Sequence, residues 1–238
     1  MCLLLTLHRQ APSERLVVAA NRDERLDRPW DAPRLLVADP PVFGGRDRLA
    51  GGSWLAVNLE AGFVVGVTNA RLGAPPGERS RGELVVDLAS QRCLPDALAL
   101  LTELELARYG PCNLLLADVL GAWVATNLPR ARIERCAGRV AVLGNDPIDA
   151  QGPRVAFAAG RAGELEAQGG EDLQAELVAL LADHAGPDPI CRHGEGYGTV
   201  CSTMLVLGRD GVASYRFATG PPCTTPYHAV GLPARPTN

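Results

Sequence analysis

The chain has 238 residues, 47% of them hydrophobic and 21% charged, a composition ordinary for a folded protein and a length near the upper end of what one hydrophobic core organises. All 23 basic residues are arginine, scattered along a chain of net charge −4, so the concentrated basic face of a nucleic-acid or anionic-membrane binder is not expected. No apolar run approaches the roughly 18 residues of a membrane-spanning helix. The N-terminal CLLLTL lacks the charged start and length of a secretory signal, which predicts a strand and a cytoplasmic protein.

In chain order, a first hairpin is expected from Leu3–His8 and Arg15–Ala20, joined through Gln10-Ala11-Pro12-Ser13. A second is expected from Trp54–Asn58 and Phe63–Thr68 around Glu60-Ala61-Gly62. Ser80-Arg81-Gly82-Glu83 has the capping-box form, opening a helix with Leu84 and Leu88 on its apolar face. Pro95 suits a first helical turn, and Leu94, Leu98, Leu101 and Leu104 continue at helical spacing. Strands return at Asn113–Asp118, Ala122–Asn127 and around Arg139–Leu143. A second helical block runs to about His184, with Leu173, Leu177, Leu180 and Leu181 on one side. The last hairpin, Cys201–Leu207 with Val212–Phe217, turns at Arg209-Asp210-Gly211.

One domain over residues 1–238 is expected, with an irregular tail from about 219. Helical blocks between antiparallel strands suggest an α+β fold, either two sheets face to face with helices outside or a single layer.

The seven cysteines, at positions 2, 93, 112, 136, 191, 201 and 223, form no C-x-x-C pair and read as reduced thiols, most of them in the core. The histidines, His8, His184, His193 and His228, show no ligand spacing, so no metal ligands are assigned. His193, two residues after Cys191 in the Gly-rich Arg192–Gly198 loop, reads first as part of an exposed mobile loop, with haem or metal contact the minor alternative. Phe43-Gly44-Gly45-Arg46 and Gly51-Gly52 lack a phosphate-binding pattern and read as loop or rim backbone.

Cys2 is set apart by position. Removal of Met1 would leave a thiol and a free α-amine on one residue, and an α-amine titrating near pH ~7.7–8.0 can serve as base for its own side chain. Ala19-Ala20-Asn21-Arg22-Asp23-Glu24 ends the strand expected beside Cys2. Its polar residues need partners or solvent, and Arg22 or Asp23 could fix the protonation state of the Cys2 amine or thiol.

Six ordered blocks carry a resemblance. Cys2 with the Asn21–Glu24 block, Gly51-Gly52-Ser53-Trp54-Leu55, Thr68-Asn69, Arg81-Gly82-Glu83-Leu84-Val85, Asn113 through Asp118, and Tyr197-Gly198-Thr199 followed by Ser202-Thr203 together resemble the NRDE family, also called transport and Golgi organisation 2. That family is similar to N-terminal-nucleophile hydrolases of the penicillin V acylase and bile salt hydrolase branch. The resemblance implies a four-layer αββα sandwich of two antiparallel sheets and a hydrolase of non-peptide C–N bonds acting on a small-molecule amide.

It makes Cys2 nucleophile and base, has Asp23 hold the α-amine with Arg22 nearby, and makes Asn69 and Asn145 oxyanion donors. Asn21, Glu24, Trp54, Arg71 and Arg81 would line the substrate site, and no cofactor would be required. Where the acylases carry an arginine this chain has Ala20, and Arg71, Arg81 and Arg216 are the candidates to replace the acylase arginines. A second reading is a non-catalytic protein that binds or traffics haem, or another hydrophobic cofactor, in the same cleft.

Overall fold

The computed structural model describes residues 2–11, 13–70, 77–150, 152–166, 170–185 and 188–233. Six strands come first: β1 (Leu3–Ala11), β2 (Glu14–Arg25), β3 (Trp30–Val37), β4 (Val42–Asp47), β5 (Leu55–Asn58) and β6 (Phe63–Asn69). Helices α1 (Arg81–Ala89) and α2 (Leu94–Glu103) follow, then β7 (Cys112–Asp118), β8 (Gly121–Thr126), β9 (Arg132–Arg135) and β10 (Val140–Leu143). Helices α3 (Pro153–Leu165) and α4 (Gly170–Leu181) precede β11 (Tyr197–Gly208), β12 (Gly211–Ala218) and the two-residue β13 (His228–Ala229).

The strands form two antiparallel sheets, ordered β10-β1-β2-β11-β12-β13 and β3-β4-β5-β6-β7-β8-β9. Side-chain alternation explains the layers. On β1, Leu3, Leu5 and Leu7 face outward with Val17 and Ala19 of β2, and pack under Val155, Ala158 and Ala162 of α3 and Leu173 and Leu177 of α4. Leu4, Leu16 and Val18 point the other way, into the space between the sheets, where they meet Val57, Val64 and Leu115. The outer face of the second sheet presents Val65, Leu114 and Leu116 to Leu84 and Leu88 of α1 and Leu101 of α2. A strand covered on both faces has no solvent side to keep polar, which is why the first strand reads as nearly unbroken leucine. Each such fully buried side chain contributes roughly 1.5–3 kcal/mol of transfer free energy. The result is the four-layer αββα sandwich, and the single-layer alternative falls away.

The helix starts follow their sequence signals. Ser80 caps α1 by accepting from the Gly82 and Glu83 amides, and α2 and α3 both carry proline in their first turn. Two expectations change, and one strand, β3, has no counterpart in the sequence reading. Phe43–Arg46, read as rim loop, lies in β4, because Gly44 and Gly45 let β5 and Trp54 approach where a Cβ would lie 2.4 Å from the Leu55 carbonyl oxygen or 2.2 Å from the Trp54 ring. Trp30–Val37 is an edge strand despite its Pro33, as edge positions tolerate. Over residues 219–233 the tail is irregular except where His228 and Ala229 pair with Phe217 and Arg216. Among the described residues no helix is long and apolar enough to cross a membrane.

Candidate functional site

The β1–β2 register pairs Leu3 with Asn21, which brings Cys2 alongside Arg22 and Asp23 at one end of the first sheet. On the other side of β2 the pairing with β11 slips between Thr199 and Cys201, opposite Asp23 and Arg22. Irregularities of this kind re-aim side chains next to sites. Cys2 is half-buried. Its backbone N–H donates to Asn145 Oδ1 at 2.7 Å, and its Sγ lies 4.0 Å from the Asp23 carbonyl oxygen. Burial pushes the thiol above its ordinary pKa.

Asn145 is itself held from the second sheet. Its Nδ2 donates to the Asn69 carbonyl at 2.5 Å, while the preceding Gly144 carbonyl accepts from Thr68 Oγ1 at 2.5 Å and from Asn113 Nδ2 at 3.2 Å. Asn113 also donates to the Asp146 carbonyl at 2.9 Å. The segment after β10 is thus fastened to β6 and β7, and it presents an amide oxygen to the nitrogen of Cys2.

The Asp23 carboxylate points into the protein. Its Oδ2 lies 2.9 Å from Arg154 Nη1 and 3.8 Å from Arg192 Nε, and its Oδ1 accepts from Thr199 Oγ1 at 2.7 Å. Tyr197 donates its hydroxyl to the Asp23 carbonyl at 2.8 Å. Burial raises the Asp23 pKa, and the Arg154 charge works against that rise.

Beside Cys2 opens a cleft of about 460 Å³ whose lining includes Arg22, Trp54, Asn69, Arg79 and Arg81. Arg22 donates to Asp47 Oδ2 at 3.0 Å, lies 3.8 Å from Glu24, and stacks 4.3 Å from the Trp54 ring centroid. Asp47 Oδ2 also accepts from Arg28 Nε at 2.7 Å, and its Oδ1 accepts from the Leu49 and Ala50 amides. Burial alone would raise the Asp47 pKa, but the Arg28, Ala50 and Arg22 contacts outweigh it and hold the carboxyl below its usual range.

The far wall forms where Gly51-Gly52-Ser53 docks on the start of α1. Ser53 N–H donates to the Gly82 carbonyl at 2.9 Å, and Gly52 has φ +72°. Two sequence blocks about 30 residues apart thereby meet as one surface. Arg81, at the first turn of α1, donates to a neutral acceptor, the Pro111 carbonyl, at 3.1 Å.

The fold therefore gathers Cys2, Arg22, Asp23, Glu24, Trp54, Asn69 and Arg81 around one cleft. Asn145 sits behind Cys2, with both ends of its amide engaged. The sequence reading gave Asn145 a donor role toward an oxyanion; one Nδ2 hydrogen goes to the Asn69 carbonyl and the amide oxygen accepts from the Cys2 nitrogen, which leaves the second Nδ2 hydrogen for that role. Asn21 is corrected as a substrate contact. It points away from the cleft, donating to the Leu181 and Ile190 carbonyls and accepting from Ser202, and so ties α4 and the following loop to the sheet. Arg216 stacks on Tyr227 instead of joining the cleft, and Arg71 lies outside the described residues.

Arg154, Arg192, Thr199 and Asp47 were missed. Arg154 follows Gly152-Pro153 at the opening of an otherwise apolar helical face, an available sign of a buried cation; Thr199 lies in the Tyr197-Gly198-Thr199 block, whose role toward Asp23 needed the topology, and Arg192 and Asp47 carry no signal without it. Sequence spacing also gave no reason to group His184, Cys191, His193 and Cys223, whose ligand atoms all lie within 4.8 Å of one another, apart from the residues that line the cleft.

The family model of Transport and Golgi organisation 2 matches residues 1–217. This chain belongs to that family. No curated protein matches it in sequence. Among solved structures, the Transport and Golgi organisation 2 fold here is similar to a Caenorhabditis elegans N-acylethanolamine-hydrolyzing acid amidase (NAAA) ortholog, with TM-score 0.61 and 15% identity over 86% of this chain and 92% of that one. At that identity the likeness is one of fold, and it agrees with the N-terminal-nucleophile hydrolase-like sandwich expected from the sequence.

Proposed function

We propose that this protein is an N-terminal-cysteine amidohydrolase acting on a small-molecule amide. The observation that carries the reading is the 2.7 Å contact between the Cys2 nitrogen and Asn145 Oδ1, at the rim of a cleft. Once Met1 is removed, that nitrogen becomes an α-amine with a fixed orientation. An amine titrating near pH ~7.7–8.0 can take the Cys2 proton at neutral pH, which offsets the effect of burial on the thiol. The thiolate then attacks the amide carbonyl carbon. The C–N bond breaks as the α-ammonium returns its proton to the leaving amine, and water, activated by the same α-amine, hydrolyses the thioester.

Asn69 lines the cleft with Cys2, and its side-chain amide would donate to the developing oxyanion. Trp54 and the arginines would set substrate choice, Trp54 with an apolar face and Arg81 with a cation toward a polar end. The haem-carrier reading would use the same cleft, whose lining includes Cys2 but not His193.

The test is intact-mass analysis of purified protein before and after treatment with an acyl electrophile, followed by hydrolysis assays on a panel of N-acyl amides. Loss of Met1, one adduct mapped to Cys2, and turnover abolished in Cys2→Ala are the expected results. A mature protein whose Cys2 stays unlabelled, or turnover indifferent to Cys2→Ala, overturns the reading.

A further inference from the structure

Four metal-ligating side chains converge at the end of the first sheet, brought together from two segments. His184 follows α4, Cys191 and His193 lie in the loop before β11, and Cys223 belongs to the segment after β12. The Sγ atoms of Cys191 and Cys223 are 3.6 Å apart. His193 Nε2 is 3.1 Å from His184 Nε2, 3.2 Å from Cys223 Sγ and 3.8 Å from Cys191 Sγ.

A tetrahedral zinc with Zn–S of about 2.3 Å and Zn–N of about 2.0–2.1 Å requires edges of about 3.8 Å for S···S, about 3.5 Å for S···N and about 3.3 Å for N···N. The four observed separations fall within a few tenths of an ångström of those edges. A disulfide would require its sulfurs at about 2.05 Å. The two imidazole centroids are 5.1 Å apart at an interplanar angle of 27°, while the Nε2 atoms are 3.1 Å apart, so the rings splay from a common edge formed by the two Nε2 atoms.

The backbone holds this arrangement without help from the four side chains. Cys191 N–H donates to the Asp183 carbonyl at 2.8 Å, which sets Cys191 beside His184. Arg192 N–H donates to Thr199 Oγ1 at 2.9 Å and Thr199 N–H to the Arg192 carbonyl at 2.9 Å, closing the loop that carries His193. Thr224 and Thr225 N–H both donate to the Pro221 carbonyl, a turn that places Cys223.

We propose that His184, Cys191, His193 and Cys223 form a structural Cys2His2 zinc site. Two thiolates and two neutral imidazoles around a divalent ion give a complex of zero net charge, and formation releases one proton from each thiol. Four protein ligands close the coordination shell, which is the mark of a structural and not a catalytic site. The buried Cys191 lies at its inner side and the exposed His184 and His193 at its outer side, where metal would enter. The ion would clasp α4, the loop before β11 and the C-terminal segment together. It would also fix the loop from which Arg192 approaches Asp23. The proposal stands independently of any chemistry at Cys2.

The experiment uses full-length protein purified without a polyhistidine tag or chelator, with metal content measured by inorganic mass spectrometry. About one zinc per chain is expected. Cobalt(II) added to the stripped protein should give the intense visible bands of tetrahedral cobalt and a thiolate-to-cobalt charge-transfer band. Cys223→Ser should lose most of the bound zinc and the charge-transfer intensity. His184→Asn, a change at an exposed residue, should weaken zinc retention in a competing chelator while the protein stays folded by circular dichroism. Three results would overturn the site: folded protein carrying only trace metal with no cobalt bands, zinc content unchanged in both variants, or a Cys191–Cys223 disulfide in metal-free protein.

Discussion

Arg154 Nη1 lies 2.9 Å from Asp23 Oδ2, with side-chain exposures of 3% and 0%. Both charges have exchanged water for protein partners, so removing Arg154 takes the nearer cation from a buried carboxylate and leaves Arg192, 3.8 Å away, as a weaker offset. Arg154→Met should destabilise the protein by about 3–5 kcal/mol. Asp23→Asn in that background should recover part of the loss by removing a buried charge that has lost its nearest cation. Urea denaturation of both single variants and the double variant measures the coupling. Additive losses would mean that the two residues do not act as a pair.

Asn69 and Asn145 should separate in kinetics. Under the proposed chemistry, Asn69→Ala removes a donor to the transition state and should lower kcat by about 10²–10³-fold with little change in KM. Asn145→Ala releases the Cys2 nitrogen, so its effect should appear in the pH profile as a shift of the limb set by the α-amine. Asn145→Asp, which keeps an acceptor oxygen, should retain that limb better than alanine does. Profiles identical in shape for wild type and Asn145→Ala would remove Asn145 from the orientation of Cys2.

The sequence carried most of the sheet architecture because β1, β2, β6, β7 and β11 are long runs of apolar residues between turn signals, and each was expected within a few residues of its place. Phe43–Arg46 was misread because its two glycines look like a loop, although they are there to admit β5 and Trp54 at close range. Cys2 and the Asn21–Glu24 block were legible as a site because they are adjacent on paired strands. Asp47 and Arg192 were not, because their partners Arg22 and Asp23 lie 25 and 169 residues away along the chain. Polarity at a strand end says that a partner is needed, not which residue supplies it.

Asp47 makes stability depend on acid. Its folded pKa is depressed, so it contributes stability above the unfolded value of about 3.9 and loses that contribution as pH falls through the folded value. Asp47→Asn should cost ~1–2 kcal/mol at pH 7, with the charge contribution discounted for the solvent reaching this partly exposed network. The difference between wild type and variant should shrink as the pH is lowered beneath about 4. Thermal melts across that range provide the measurement, and a gap that stays constant with pH would show that the charge on Asp47 contributes nothing.

Gly52 tests the cleft wall itself. It has φ +72°, and a Cβ there would lie 2.0 Å from the Gly82 carbonyl carbon, with the Gly82 oxygen and Glu83 nitrogen nearly as close. Gly52→Ala therefore combines a left-handed backbone with a clash against the first turn of α1, where neither side is a flexible side chain that could yield. A loss of about 1–3 kcal/mol follows from the backbone term alone, and the clash should add to it by pushing Ser53 and Trp54 away from Gly82. Gly51→Ala is the control, since it shares the positive φ of 71° but its nearest contact is a Glu83 side-chain oxygen at 3.8 Å. Denaturation midpoints should place Gly52→Ala well below Gly51→Ala, and Trp fluorescence should shift only in the former. Equal losses would show that backbone conformation, and not the approach of the two segments, is what the glycine serves.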